Sequence, residues 1–148
     1  MKTVIVYAST HHGNTKKLLD AIAAKDPELS LLDVIAQKNA DLSGYDAVGI
    51  ASGIAFGKYY PQVLAFLEGS LPEGKKVFFL HTAGDPREGQ NAAAKAISDA
   101  RGCECLGTYC CKGFDTFGPF KLVGGIAKGH PTEDEIRAAV DFYDGLGL

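Results

Sequence analysis

The sequence predicts an α/β fold, a three-layer sandwich with helices on both sides of a five-stranded parallel sheet, forming one domain over residues 1–148. Three observations lead there. Short apolar runs alternate with helical patterns along the whole chain, the signature of strand–helix–strand units joined by right-handed crossovers. The runs are continuously apolar, as in strands buried on both faces. The chain also carries 18 glycines in 148 residues, which marks tight turns or backbone that comes close to a ligand.

Val4-Ile5-Val6-Tyr7 forms the first strand. Leu18, Leu19, Ile22 and Ala23 then recur with helical spacing. Leu29 to Ile35 forms a second strand and Ala47 to Ala51 a third. The helix usually expected between these two is missing or reduced to a turn around Asp41 to Gly44. Pro61 suits the first turn of a helix carrying Val63, Leu64, Phe66 and Leu67, with Gly69 at its end. Lys76 to His81 is the fourth strand, Ala92 to Ala100 a short Ala-rich helix, and Glu104 to Cys111 the fifth strand. Thr132 and Glu135 form a capping box after Pro131; Ile136, Val140 and Tyr143 follow on one helical face that ends near Gly145. Repeats, linkers and a second domain are not seen. The longest structureless piece, Lys112 to Gly129, holds Phe114, Phe117, Phe120 and five glycines. Loops of that length are usually functional. Leaning over a ligand, docking a partner and plugging the core all remain open for it.

Composition narrows the function. A net charge of −3, with 46% hydrophobic and 22% charged residues, describes an ordinary globular chain. The closest approaches to a basic cluster, Lys16-Lys17 and Lys75-Lys76, read as solvated edges, so nucleic acid is not expected as a partner. No apolar run nears the roughly 20 residues of a membrane span. The short N-terminal apolar run leads straight into a loop motif and reads as a strand rather than a signal peptide, so a cytoplasmic monomer or weak dimer is expected. Cys103, Cys105, Cys110 and Cys111 are spaced unlike a zinc knuckle. They read as buried reduced thiols, and no metal site is expected.

In an open parallel sheet, ligands bind beyond the carboxyl ends of the strands, where the strand order reverses. The loop after the first strand, Ser9-Thr10-His11-His12-Gly13-Asn14-Thr15, leads directly into a helix. Backbone N–H groups at a helix start are unpaired and the helix dipole adds positive charge. Ser9, Thr10 and Thr15 bring hydroxyls, and Gly13 and Asn14 tolerate the left-handed backbone that curls a loop around an anion. A plain N-capping turn is the bland alternative. Thr10 to Thr15 resembles the T-x-T-G-N-T phosphate loop of flavodoxins, with His12 at the third position, where an imidazole N–H would donate to phosphate in place of a hydroxyl.

The resemblance covers essentially the whole chain, with only this loop as a specific motif. It implies the flavodoxin-like strand order 2-1-3-4-5 and FMN bound without a divalent metal. It also implies that the loop after the third strand, Ser52-Gly53-Ile54-Ala55-Phe56-Gly57, covers one face of the flavin ring. With no tryptophan in the chain, Phe56, Tyr59 or the aliphatic face of Ile54 would serve. A peptide at Gly57 or Gly53 would turn its carbonyl to the reduced ring. After the fourth strand, Thr82-Ala83-Gly84-Asp85 supplies the Gly-Asp that flavodoxins place there, without their stacking tyrosine. Asp85-Pro86-Arg87-Glu88 also reads as a helix N-cap with Pro at N1 and Glu at N3.

These residues imply a flavodoxin that carries one or two electrons at low potential between redox partner proteins and has no catalytic residues of its own. The alternatives are an FMN-dependent NAD(P)H oxidoreductase of the quinone reductase kind and a non-flavin phosphate binder on the same fold. The electron-transfer flavoprotein is favoured over a substrate-specific reductase. Acidic surface at Asp41, Glu68, Glu73 and Asp85 is thin for a protein steered to basic partners.

Overall fold

The computed structural model describes residues 1–10, 12–115 and 124–148; His11, Phe117 and Phe120 lie outside the described residues. The elements are β1 (Thr3–Ala8), α1 (Asn14–Lys25), β2 (Ser30–Asp33), β3 (Ala47–Ala55), β4 (Lys58–Tyr59), α2 (Pro61–Ser70), β5 (Lys76–Ala83), α3 (Ala92–Ala100), β6 (Glu104–Lys112) and α4 (Glu133–Gly145). Five parallel strands pair in the order β2-β1-β3-β5-β6, with β4 attached to β3 as an antiparallel hairpin partner. The predicted order therefore holds, with one short strand added. The turn foreseen before β3 is also present: Asp41 accepts the Ser43 N–H at 2.9 Å and no helix forms there.

Alternation along each strand sends side chains to opposite faces, and two cores result. Val4, Val6, Val48, Ile50, Val77 and Phe79 pack with Val63, Phe66 and Leu67 of α2 and with Ala94 of α3. Ile5, Tyr7, Phe78 and Leu80 pack with Leu18, Leu19 and Ile22 of α1 and with Ala139, Val140 and Tyr143 of α4. Thr132 and Glu135 make the predicted capping box: the Thr132 N–H donates to the Glu135 carboxylate at 2.8 Å and the Glu135 N–H to the Thr132 hydroxyl at 3.2 Å.

Two expectations need correction. Asp85 does not cap a helix. A 3-10 turn over Glu88–Asn91 precedes α3, and the Arg87 N–H is held by the Gln90 side chain at 2.8 Å. Asp85 is exposed and pairs with Arg87 at 3.0 Å. The four cysteines are free, but only Cys111 is buried; Cys103, Cys105 and Cys110 are half-buried. Burial pushes the Cys111 thiol up to about 12.

Beneath the carboxyl edge lies a buried polar bond chain. Tyr59 and His81 are almost fully enclosed, at 1% and 0% exposure. The His81 Nε2 lies 2.9 Å from the Arg87 carbonyl, which can only accept, so Nε2 carries the proton. Nδ1 then accepts the Tyr59 hydroxyl at 3.0 Å. This chain ties the β3–β4 hairpin to the segment after β5. Burial lowers the His81 pKa, against the opposing pull of the Arg87 carbonyl, Gln90 and Glu88. A neutral ring is favoured in the fold, so its contribution to stability is complete above the unfolded value of about pH 6.5 and is lost as pH falls through that value toward the lower folded one. Urea denaturation near pH 5 and pH 7.5 is expected to show a decline of up to about 1.4 kcal/mol per pH unit below pH 6.5, which His81→Gln removes.

Candidate functional site

The loop after β1 curls through two left-handed residues, His12 at φ 58° and Gly13 at φ 65°. This turn starts α1 abruptly, and its N-cap residue, Gly13, brings no side-chain cap, so the positive end of the helix faces the carboxyl edge of the sheet. The Ser9 hydroxyl braces the loop by accepting the Lys16 N–H at 3.1 Å. Thr15 is buried and shares a hydroxyl–hydroxyl bond of 2.9 Å with Thr82 of β5. Asn14 is 5% exposed. Its amide nitrogen donates to the Phe114 carbonyl at 2.8 Å, which fixes the orientation of the side chain. The amide oxygen is then left buried with no hydrogen-bond partner among the described residues. Native structures rarely leave such an acceptor unpaired without a reason.

The second predicted segment divides between cleft and scaffold. Gly53 and Ile54 line the cleft. Ser52 is structural: its hydroxyl donates to the Gly53 carbonyl at 2.6 Å and accepts the Tyr60 N–H at 2.9 Å. Ala55 pairs with Lys58, and Phe56 and Gly57 form the two-residue hairpin turn between them, at φ 54° and 76°. Phe56 stands 89% exposed at its tip. Tyr59, a candidate ring cover, belongs to the core beside His81, so Ile54 is the one of the three cover candidates that lines the cleft.

After β5, Thr82, Ala83 and Gly84 line the cleft as expected, and Asp85 turns away from it. The remaining wall comes from Tyr60, Gly113, Phe114 and Asp115, which sequence reasoning did not assign to the site. The last three belong to a zipped stem. Asp115 and Ile126 exchange both backbone bonds, at 2.9 and 2.7 Å. The Phe114 N–H donates to the His130 carbonyl at 3.1 Å, and the Glu135 carboxylate accepts the Lys112 N–H at 3.3 Å. The Phe114 ring stacks on His12, with centroids 4.4 Å apart and planes 26° from parallel. His12 and Thr10 are exposed, and His12 meets the stem rather than the cleft interior.

Three glycines let these walls close on one another. A Cβ on Gly53 would stand 2.5 Å from the Tyr60 hydroxyl, one on Gly84 2.5 Å from Ile126 Cδ1, and one on Gly113 2.8 Å from the Asn14 amide nitrogen. The result is a narrow cleft whose walls nearly meet, with an internal volume of about 10 Å³. One end offers an uncapped helix start with the Ser9 and Thr15 hydroxyls, and beside them sits a buried acceptor. A group bearing both an anion and hydroxyl donors satisfies this set, as phosphate next to a polyol does.

Comparison with known proteins places the chain. The family model described as a flavodoxin domain matches residues 4–106. An uncharacterised protein of Methanocaldococcus jannaschii is 38% identical over 149 residues, covering 99% of this chain and 98% of that protein. Oxidised Flavodoxin 2 from Bacillus cereus superposes with a TM-score of 0.72 at 19% identity, over 99% of this chain and 98% of its own. A flavoprotein from Lactobacillus acidophilus, solved in complex with FMN, superposes with a TM-score of 0.58 at 17% identity, over 74% of this chain and 92% of its own.

Proposed function

The chain belongs to the flavodoxin domain family, and from that premise we propose that the cleft holds FMN and that the protein carries electrons between redox partner proteins. The observation that carries the reading is the pairing of an uncapped α1 start with the partnerless Asn14 oxygen. Inorganic phosphate in its dianionic form carries a single hydroxyl, whereas FMN joins a phosphate to a chain of hydroxyls that can donate to that oxygen. That the Lactobacillus flavoprotein binds FMN on this fold agrees with the reading.

When bound, FMN supplies one- and two-electron chemistry that no side chain provides. The chain supplies the grip. The first N–H groups of α1 and the hydroxyls of Ser9 and Thr15 hold the phosphate, and Asn14 accepts from the adjoining polyol. Ile54, Ala83 and Gly84 border the ring, and Thr10, His12 and Gly13 shape the rim. Tyr60 and the stem exclude water from the interior.

The experiment is direct. Purified protein mixed with FMN and passed through gel filtration is expected to retain a yellow complex, and NADPH alone is expected not to bleach it over minutes. A colourless protein defeats the flavin reading; rapid bleaching by NADPH defeats the carrier reading.

A further inference from the structure

We propose that the groove between the segment after β2 and helix α2 is a second binding site, one that takes a small amphipathic anion: an apolar body carrying a single acid group. The groove and the cleft share no lining residue, so this site is independent of FMN. The crossover from β2 to β3 carries no helix, and the loop at 34–40 faces the flank of α2 in its place. An internal volume of about 560 Å³ remains between them. That lies within the range of about 300–1,000 Å³ that small-ligand pockets span.

Both walls are fixed by the fold. β2 stops at Asp33, whose carboxylate accepts the Ile35 N–H at 2.9 Å and whose carbonyl accepts the Gln37 N–H at 2.9 Å. This turn presents Ile35 outward, 39% exposed. At the far end of the same wall, the Ala40 N–H donates to the Ser70 hydroxyl at the end of α2, 3.4 Å away. Opposite, Gln62, Ala65 and Phe66 recur at the i, i+3, i+4 spacing of one helix face. Val34 and Phe66 also line the groove and are 2% exposed, so they form its floor.

The rim decides the ligand. Across 34–40 and 61–67 there is one charged residue, Lys38, in a chain where 22% are charged. Depletion of charge around exposed apolar side chains marks a surface built to be covered. Lys38 lines the groove, is exposed, and makes no ion pair or side-chain hydrogen bond among the described residues. Apolar contact with Ile35, Ala65 and Phe66 supplies most of the affinity. Lys38 then selects an anionic head over a cationic one, and an exposed pair of this kind adds at most about fivefold.

The test uses the full chain and three probes. Anilinonaphthalenesulfonate is an aromatic anion whose fluorescence rises when it leaves water; octanoate and octylamine serve as competitors. Saturable enhancement is expected, with amide shifts in the NMR spectrum concentrated at 34–39 and 62–66. Octanoate is expected to displace the dye at about fivefold lower concentration than octylamine. That gap is expected to close in Lys38→Gln and in about 1 M salt. Ala65→Glu fills the groove and adds a like charge at an exposed position. It is expected to weaken dye binding by about tenfold or more, with the urea denaturation midpoint unchanged. Absence of saturable binding at millimolar dye overturns the proposal. Amide shifts confined to the cleft, binding unchanged in Ala65→Glu, or equal displacement by octanoate and octylamine each do the same. A wild-type chain that sediments as a dimer, with Ala65→Glu monomeric, would show that a second copy covers the groove and overturns it too.

Discussion

Asn14→Ala is expected to weaken FMN binding by about 10- to 100-fold, or roughly 1.4–2.7 kcal/mol, while leaving the stability of the FMN-free protein within about 1 kcal/mol of the wild type. The two halves of this result have one cause. In the free protein the Asn14 amide nitrogen bonds to the Phe114 carbonyl, and the amide oxygen is buried without a partner. Truncation loses the first bond, worth about 1 kcal/mol, and removes an unsatisfied acceptor that costs about 1–3 kcal/mol. The two nearly cancel. In the complex the same oxygen has a hydroxyl to accept from, so truncation loses a made bond and also the attachment of the stem to the phosphate loop. Calorimetric titration with FMN and urea denaturation of the free protein read the two quantities separately. A variant that lost stability and affinity together would mark Asn14 as a purely structural residue.

Gly49→Val is expected to cost about 3 kcal/mol or more of folding stability. At 148 residues that lowers Tm by about 6–12 °C. Gly49 sits in the middle of β3, between Ile5 on β1 and Phe78 on β5 in the sheet register. A Cβ there would lie 2.5 Å from Phe78 Cζ and 2.8 Å from Ile5 Cγ1. Phe78 has no room to retreat, because Tyr143 meets it edge-on at 5.8 Å and Phe142 lies at 6.5 Å. Overpacking of this kind displaces backbone as well as side chains. Differential scanning calorimetry checks it. A loss below about 1 kcal/mol would mean that α4 yields more easily than its packing indicates.

The parts of this molecule that were legible in the sequence are those set by local pattern. Val4 to Tyr7 and Val77 to Leu80 have a continuous apolar character that only a two-sided core explains, and both fall inside strands. Pro61 and the Thr132–Glu135 box fixed helix starts to the residue, because capping chemistry is local. The sites of error were set by distant partners. β3 runs on to Ala55, and its hairpin turn uses Phe56 at a left-handed φ where Asn or Gly is the usual signal. Tyr59 looked like a ring cover because an aromatic after a glycine-rich strand end suits that role. Its burial follows from His81, 22 residues away. The stem over the cleft depends on Asp115 pairing with Ile126 and on Gly113 meeting Asn14, 99 positions earlier by number. No local periodicity encodes such contacts. Asp85 was expected at the cleft and Asp115 was missed for the same reason: Gly84-Asp85 is a motif in the chain, whereas Asp115 reaches the cleft only through the fold.

The central claim is that the loop from Ser9 to Thr15 holds the phosphate of a flavin. Equilibrium binding of FMN compared with riboflavin, which shares the ring and polyol and lacks the phosphate, tests it most directly. FMN is predicted to bind about 100-fold more tightly, a difference of roughly 2.7 kcal/mol supplied by the helix start and its hydroxyls. Equal binding of the two, or binding of neither, would contradict it.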